Sequence, residues 1–197
     1  MVREKALRML SFCMQSYGDT LTASSYDIVT RNFCDETDVT YFIALRRDAA
    51  LIVFRGTDSA KDLATDLNFK SKIVPYGNYK SKIRVHTGFI SAYKNSEIRD
   101  KIFGMINRDI KNIYITGHSF GGALALLYAV DFQYHDNTRN IEVVVFGCPR
   151  VGNRAFAVSY NKRVPNTMRV ENGNDIVTKL PFKMLGFRHV KKCFRIG

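Results

Sequence analysis

Residues 113–125 constrain the fold of this chain more than any other segment. They join an apolar, strand-forming run to a helix-forming run, and Ser119 stands at the junction. Gly117 and Gly121 lie two residues before and two after the serine, the G-x-S-x-G pattern of a sharp strand-to-helix turn with no room for a Cβ. The start of the following helix places free N–H groups beside the serine. The pattern predicts a nucleophilic Ser119 and makes the N–H of Phe120 an oxyanion donor.

Apolar runs alternate with helix-forming segments on both sides of this turn. The run at 50–54 is continuously apolar, as expected for a central strand covered on both faces. Such alternation favours right-handed crossovers, so residues 1–197 are predicted to form a single α/β domain with a mostly parallel sheet and helices on both faces. The predicted strands are 41–45, 50–54, 113–116, 141–146 and 167–170, and the predicted helices are 3–17, 59–67, 119–132, 153–160 and one entered at 84–89 that runs to about 109.

A serine at its ordinary pKa needs a neighbouring base, and the chain has four histidines. His189 follows the last predicted strand and its loop, which fits the chain order serine, acid, histidine that accompanies a nucleophilic serine on this kind of turn. The side chain of His118 is expected to point away from the serine hydroxyl. His86 is expected to shape the turn that follows it, and His135 to lie at the surface.

Asp175 is the candidate acid because it directly follows the strand predicted at 167–170. Chemistry in parallel sheets collects at the carboxyl ends of the strands, and a carboxylate there can orient His189. Asn-Gly-Asn-Asp is also a natural turn, so Asp175 can act as a turn residue as well. Glu171 is a weaker alternative acid.

Composition narrows the class of protein. The net charge is +12, which indicates either a solvated basic face or attraction to an anionic surface. The chain shows no zinc finger or other nucleic-acid motif, so specific nucleic-acid binding is not expected. The four cysteines are scattered without a C-x-x-C pair, which favours free thiols and argues against a metal site. The basic residues near the C-terminus are Lys179, Lys183, Arg188, Lys191, Lys192 and Arg195.

Five segments, taken in order, resemble the conserved blocks of the class 3 lipases, the fungal-lipase-like branch of the α/β-hydrolases. They are Val53-Phe54-Arg55-Gly56-Thr57, Val85-His86-Thr87-Gly88-Phe89, Thr116 to Ala125, Phe146 to Asn153, and Asn174 to Pro181 followed by Gly186 to Val190. The resemblance runs from about residue 40 to the end. Phe120 stands where the family usually has leucine.

The resemblance implies an α/β-hydrolase fold with a triad of Ser119, His189 and Asp175. It also implies that Thr57 is the second oxyanion donor, with Phe120 as the first. A lid helix over the acyl pocket is expected at 58–69; its apolar residues Leu63, Leu67 and Phe69 would face the substrate, although Leu63 and Leu67 can also be plain core residues. The family often has tryptophan in this helix, and this chain has none.

The expected activity is that of a serine esterase, a lipase that cleaves acylglycerol-type lipid esters through an acyl-enzyme. The alternatives are a phospholipase A1 or monoacylglycerol lipase at acidic membranes, and a non-catalytic lipid-binding or interaction module on the same fold. No cofactor or metal is expected. Neither a signal peptide nor a membrane span is evident in the chain, so we expect either a cytoplasmic or membrane-peripheral protein or a mature form whose leader has been removed.

Overall fold

The computed structural model describes residues 2–57, 71–73, 80–95, 97–191 and 193–196. The predicted lid helix at 58–69, with Leu63, Leu67 and Phe69, lies outside the described residues. The helices are α1 (Val2–Gln15), α2 (Thr87–Asn95), α3 (Ile98–Met105), α4 (Phe120–His135) and α5 (Arg154–Arg163). The strands are β1 (Ile28–Cys34), β2 (Val39–Arg46), β3 (Ala49–Phe54), β4 (Ser71–Ile73), β5 (Arg84–His86), β6 (Asn112–His118), β7 (Asn140–Phe146), β8 (Gly152–Asn153), β9 (Thr167–Asn172), β10 (Phe187–Arg188) and β11 (Cys193–Ile196).

The main sheet has the described strand order β1-β2-β3-β6-β7-β9-β11. Strands β3, β6, β7, β9 and β11 run parallel to one another, and β1 and β2 extend the sheet at one edge with antiparallel pairing. This confirms the predicted mostly parallel sheet. Since parallel strands end at the same edge of a sheet, the carboxyl ends of β3, β6, β7 and β9 lie along one edge.

Helices cover both faces of this sheet because its strands alternate their apolar side chains. Phe42, Leu51 and Val53 face α1, which contributes Phe12 and other apolar residues. Ile52 and its neighbours on the opposite face pack with α4 and the helices around it. Residues 121–132 of α4 are all buried, so this part of the helix is enclosed on every side.

A second, smaller antiparallel sheet has the described order β10-β8-β5-β4. Val85 of β5 pairs with Gly152 of β8, so two of the conserved blocks are joined by strand pairing. A Cβ on Gly152 would lie 2.6 Å from the carbonyl oxygen of Arg84, which explains why this position has no side chain. No pattern in the sequence predicts this sheet.

One predicted helix is wrong in extent. The helix expected to run to about residue 109 is divided into α2 and α3, because Glu97 adopts a left-handed backbone with φ 51°. A non-glycine residue is unfavourable there, and it turns the chain between the two helices. Strands β1 and β11 were not predicted either; both carry several exposed side chains and lack the buried pattern that marks the central strands.

The four cysteines are free thiols, as expected. Cys13 and Cys148 are buried, and burial raises the pKa of each thiol to about 12, so both remain protonated near neutral pH. In the described part of the chain, no helix is long and apolar enough to cross a bilayer. The same residues contain no group of three or more His, Cys, Asp or Glu placed to hold a metal ion.

Candidate active site

Ser119 lies at the turn between β6 and α4, as predicted. Its backbone has φ 54° and ψ −122°, a strained conformation for a residue with a side chain. The backbone N–H of Ser119 donates to the carbonyl oxygen of Phe146 at 2.9 Å, which ties the turn to the end of β7. The serine is 2% exposed, and its Oγ has no hydrogen-bond partner among the described residues. The hydroxyl therefore has no structural role that would compete with nucleophilic attack.

The glycines around Ser119 are required by close backbone contacts. A Cβ on Gly117 would lie 2.4 Å from the carbonyl carbon and oxygen of Gly121, and a Cβ on Gly121 would lie 2.3 Å from the carbonyl oxygen of Phe54. Each of these neighbours is backbone of a central element and cannot move aside cheaply. The spacing of the glycines thus allows the serine to stand on a tight turn between strand and helix.

The two predicted oxyanion donors lie at the same edge of the sheet. Phe120 is the first residue of α4, so its N–H has no carbonyl partner within the helix. Thr57 follows the end of β3, and β3 pairs with β6 so that Phe54 lies beside Gly117. The two segments leave neighbouring strands at this edge, and a shared role in holding an oxyanion stays a prediction.

Tyr17 is a component of the site that the sequence analysis missed. It lies just after α1, and its Oη is 2.7 Å from Nδ1 of His118, the residue before the serine. A Cβ on Gly56 would lie 2.3 Å from the same Oη, so the tyrosine also packs against the turn that leads to Thr57. No sequence motif marks Tyr17; only the direction of α1 brings it here.

Asp175 lies beside His118 at the end of β9. Its Oδ1 accepts the backbone N–H of Val177 at 2.9 Å, so the turn interpretation of this residue is correct. Its Oδ2 and Nε2 of His118 both lie against Gly147, at 2.8 and 3.3 Å from the position of a Cβ there. Burial lowers the pKa of His118, and the negative charge of Asp175 opposes that shift.

Both ring nitrogens of His189 are engaged away from Ser119. Nε2 is 2.7 Å from the carbonyl oxygen of Thr178, and Nδ1 is 2.7 Å from Nη1 of Arg169. Because a carbonyl oxygen only accepts and a guanidinium only donates, Nε2 carries the hydrogen and the ring is neutral. Burial, together with the charge of Arg169, lowers the pKa of His189 to about 4.

The structure therefore does not join the three predicted triad side chains by hydrogen bonds. The carboxylate next to His189 is Glu171, whose Oε1 lies 3.6 Å from Nε2, and not Asp175. Glu171 in turn pairs with buried Arg169 at 2.6 Å. The order of serine, acid and histidine along the chain indicates which edge of the sheet each reaches, but it does not define the direction of the imidazole.

Known proteins resemble this chain in sequence and in fold. A family model described as "Lipase (class 3)" matches residues 51–185. A lipase of Rhizopus niveus is 31% identical over 148 residues, covering 70% of this chain and 36% of that protein. A chloroplastic phospholipase A(1) of Arabidopsis thaliana, DAD1, is 31% identical, covering 69% of this chain and 34% of that protein.

A solved triacylglycerol lipase, whose catalytic centre is described as a serine protease triad, superposes with a TM-score of 0.86 at 26% identity. The superposition covers 98% of this chain and 80% of the lipase chain. This chain spans only about a third of the length of the Rhizopus niveus lipase and of the Arabidopsis thaliana phospholipase. These likenesses are to the fold and to the blocks around the site.

Proposed function

Because the chain belongs to the class 3 lipase family, we propose that it is a serine carboxylic-ester hydrolase that cleaves acylglycerol-type lipid esters. The observation that carries the proposal is the state of Ser119, a strained residue at the start of α4 whose buried hydroxyl has no hydrogen-bond partner among the described residues. Strain of this kind persists only where the surrounding structure imposes it, and it clusters at functional sites.

The proposed reaction is a two-step acyl transfer. Oγ of Ser119 attacks the ester carbonyl carbon and gives its proton to a base, while the N–H of Phe120 and the N–H and hydroxyl of Thr57 stabilise the oxyanion. The bond to the alcohol then breaks, and the alcohol leaves with that proton. Water attacks the acyl-enzyme by the same route and releases the fatty acid, so no cofactor enters the balance.

His189 and Asp175 are the proposed partners of Ser119 in the triad. A general base works best when its pKa lies near the working pH, but the pKa of His189 is far below neutral. Its ring also donates a hydrogen bond to the carbonyl oxygen of Thr178 and accepts one from Arg169. Catalysis by His189 therefore requires the ring to release both partners and turn towards Ser119. Its role as the base stays a prediction.

Reaction with a fluorophosphonate probe tests the nucleophile and the base separately. Ser119→Ala should abolish labelling and turnover of a short p-nitrophenyl ester, and undiminished activity would show that the proposal is wrong. His189→Gln should slow both by roughly 10⁶-fold if His189 is the base. His135→Gln is the matched control because His135 is a partly exposed histidine on α4. If the two histidine variants behave alike, Ser119 remains the nucleophile and His189 is not its base.

Phospholipid is a second candidate substrate. The likeness to a phospholipase A(1) and the excess of basic residues near the C-terminus both favour it. A panel of triacylglycerol, monoacylglycerol and phospholipid would rank the substrates. Labelling without turnover of any of them would favour the non-catalytic lipid-binding alternative. The cytoplasmic or membrane-peripheral location stays a prediction.

A further inference from the structure

A cationic cavity of about 510 Å³ lies where β9 and β11 end, against the loop that carries residues 177–191. His189 contributes to its wall, but neither Ser119 nor Asp175 lines it. Among its lining residues, Glu171 is the one carboxylate. The cationic side chains in its wall are Arg150, Arg169, Lys179, Lys183, Lys191 and Arg195.

Carboxylates of the described residues leave most of this positive charge without a neutralising partner. Arg169 pairs with Glu171, but the three lysines and Arg195 form no ion pair with a carboxylate of the described residues. A concave wall with unpaired cations concentrates a positive potential and attracts anions.

Arg150 adds a buried cation that is short of acceptors. It is 7% exposed, and its Nη1 donates to the carbonyl oxygens of Lys179 and Pro181. Its Nε has no hydrogen-bond partner within the described residues. Burial lowers the pKa of Arg150; the negative charge of Glu171 opposes that shift, and the positive charges of Arg169 and Arg188 add to it. A bound anion would relieve this excess of positive charge.

Exposed apolar side chains lie next to Lys183, one of the residues that line the cavity. Phe182, Met184 and Leu185 are 47%, 89% and 49% exposed, and they flank Lys183 on one short helical turn. Exposed side chains of this size next to cations are typical of surfaces that enter the boundary between lipid headgroups and acyl chains. A soluble anion or a nucleic acid would give them no apolar surroundings.

We propose that this cavity binds the phosphate of an anionic phospholipid at a bilayer surface, with Phe182, Met184 and Leu185 inserted beside the headgroup. Lys179 and Lys183 contact the phosphate from the mouth of the cavity, and Arg150 lies in its wall. The interaction does not require hydrolysis, because the proposed nucleophile is outside the cavity.

Flotation with vesicles tests the proposal in the Ser119→Ala background, where no substrate is turned over. The protein should bind phosphatidylcholine vesicles that contain phosphatidylglycerol, should bind pure phosphatidylcholine weakly, and should be released by salt. Lys179→Gln/Lys183→Gln should lower the partition coefficient about thirtyfold, which corresponds to about 2 kcal/mol for two lysines near an anionic surface. Met184→Ser should also weaken binding.

Two controls separate the cavity from the general basic charge of the chain. Lys94→Gln/Lys101→Gln removes the same charge from exposed positions on α2 and α3, and Met14→Ser changes an exposed methionine on α1. Both should bind like the parent. Equal losses in the control and test variants, or equal binding to neutral vesicles, would overturn the proposal. Tighter binding to duplex DNA in a gel shift, lost in the same lysine variant, would overturn the choice of a lipid.

Discussion

Tyr17→Phe tests whether the segment before residue 40 supports the active site. The change removes only the hydroxyl, which lies 2.7 Å from Nδ1 of His118 and against Gly56. Losing one partner of a partly buried hydrogen bond costs about 1–2 kcal/mol, because the remaining nitrogen is left unsatisfied. For a protein of this size that energy corresponds to a fall in Tm of about 2–8 °C. Since His118 precedes Ser119, labelling by a fluorophosphonate should slow by roughly three- to tenfold.

Differential scanning fluorimetry and the labelling rate measure the two effects. Tyr114→Phe is the matched control, because Tyr114 is a half-buried tyrosine on β6 whose hydroxyl makes no hydrogen bond within the described residues. It should melt and react like the parent. If Tyr17→Phe does the same, the contact with His118 contributes neither stability nor alignment, and the reasoning fails.

Two further predictions concern the turn and the buried histidine. Gly121→Ala should destabilise the protein by about 3 kcal/mol or more and abolish labelling, because its Cβ would meet backbone of β3 at 2.3 Å; Gly104→Ala, which has open space on α3, should be neutral or stabilising in the same urea titration. His189 has its pKa lowered to about 4, so the unfolded chain binds more protons than the folded one between pH 4 and its ordinary value near 6.5. Stability is then complete above that value and falls by up to about 3 kcal/mol as pH drops towards 4. His189→Gln should flatten this fall, and an unchanged pH profile of urea midpoints would contradict the assignment.

The sequence predicts the central part of the molecule well because its signals there are local. The run at 50–54 is apolar at every position, and the glycines beside Ser119 lie within a few residues of the serine. Both features mark buried backbone that packs closely, and the structure confirms β3 and the turn. These patterns can be interpreted without knowing which distant segments pack against them.

Features that depend on distant contacts were not predictable in the same way. The pairing of Val85 with Gly152 joins segments that are far apart in the chain, and each strand is too short to give a periodic signal. The contact between Tyr17 and His118 depends on how α1 crosses the sheet. The orientation of His189 is set by its contacts with Arg169 and Thr178, and no sequence pattern predicts either contact.

The burial of α4 on every side has a consequence for how the protein loses activity on heating. Ser119 directly precedes α4, whose residues 121–132 have no solvent-facing side. The turn at Ser119 therefore cannot open locally without disrupting the packing around this helix. Amides along this helix should exchange with deuterium only through global unfolding, and inactivation should coincide with melting instead of preceding it.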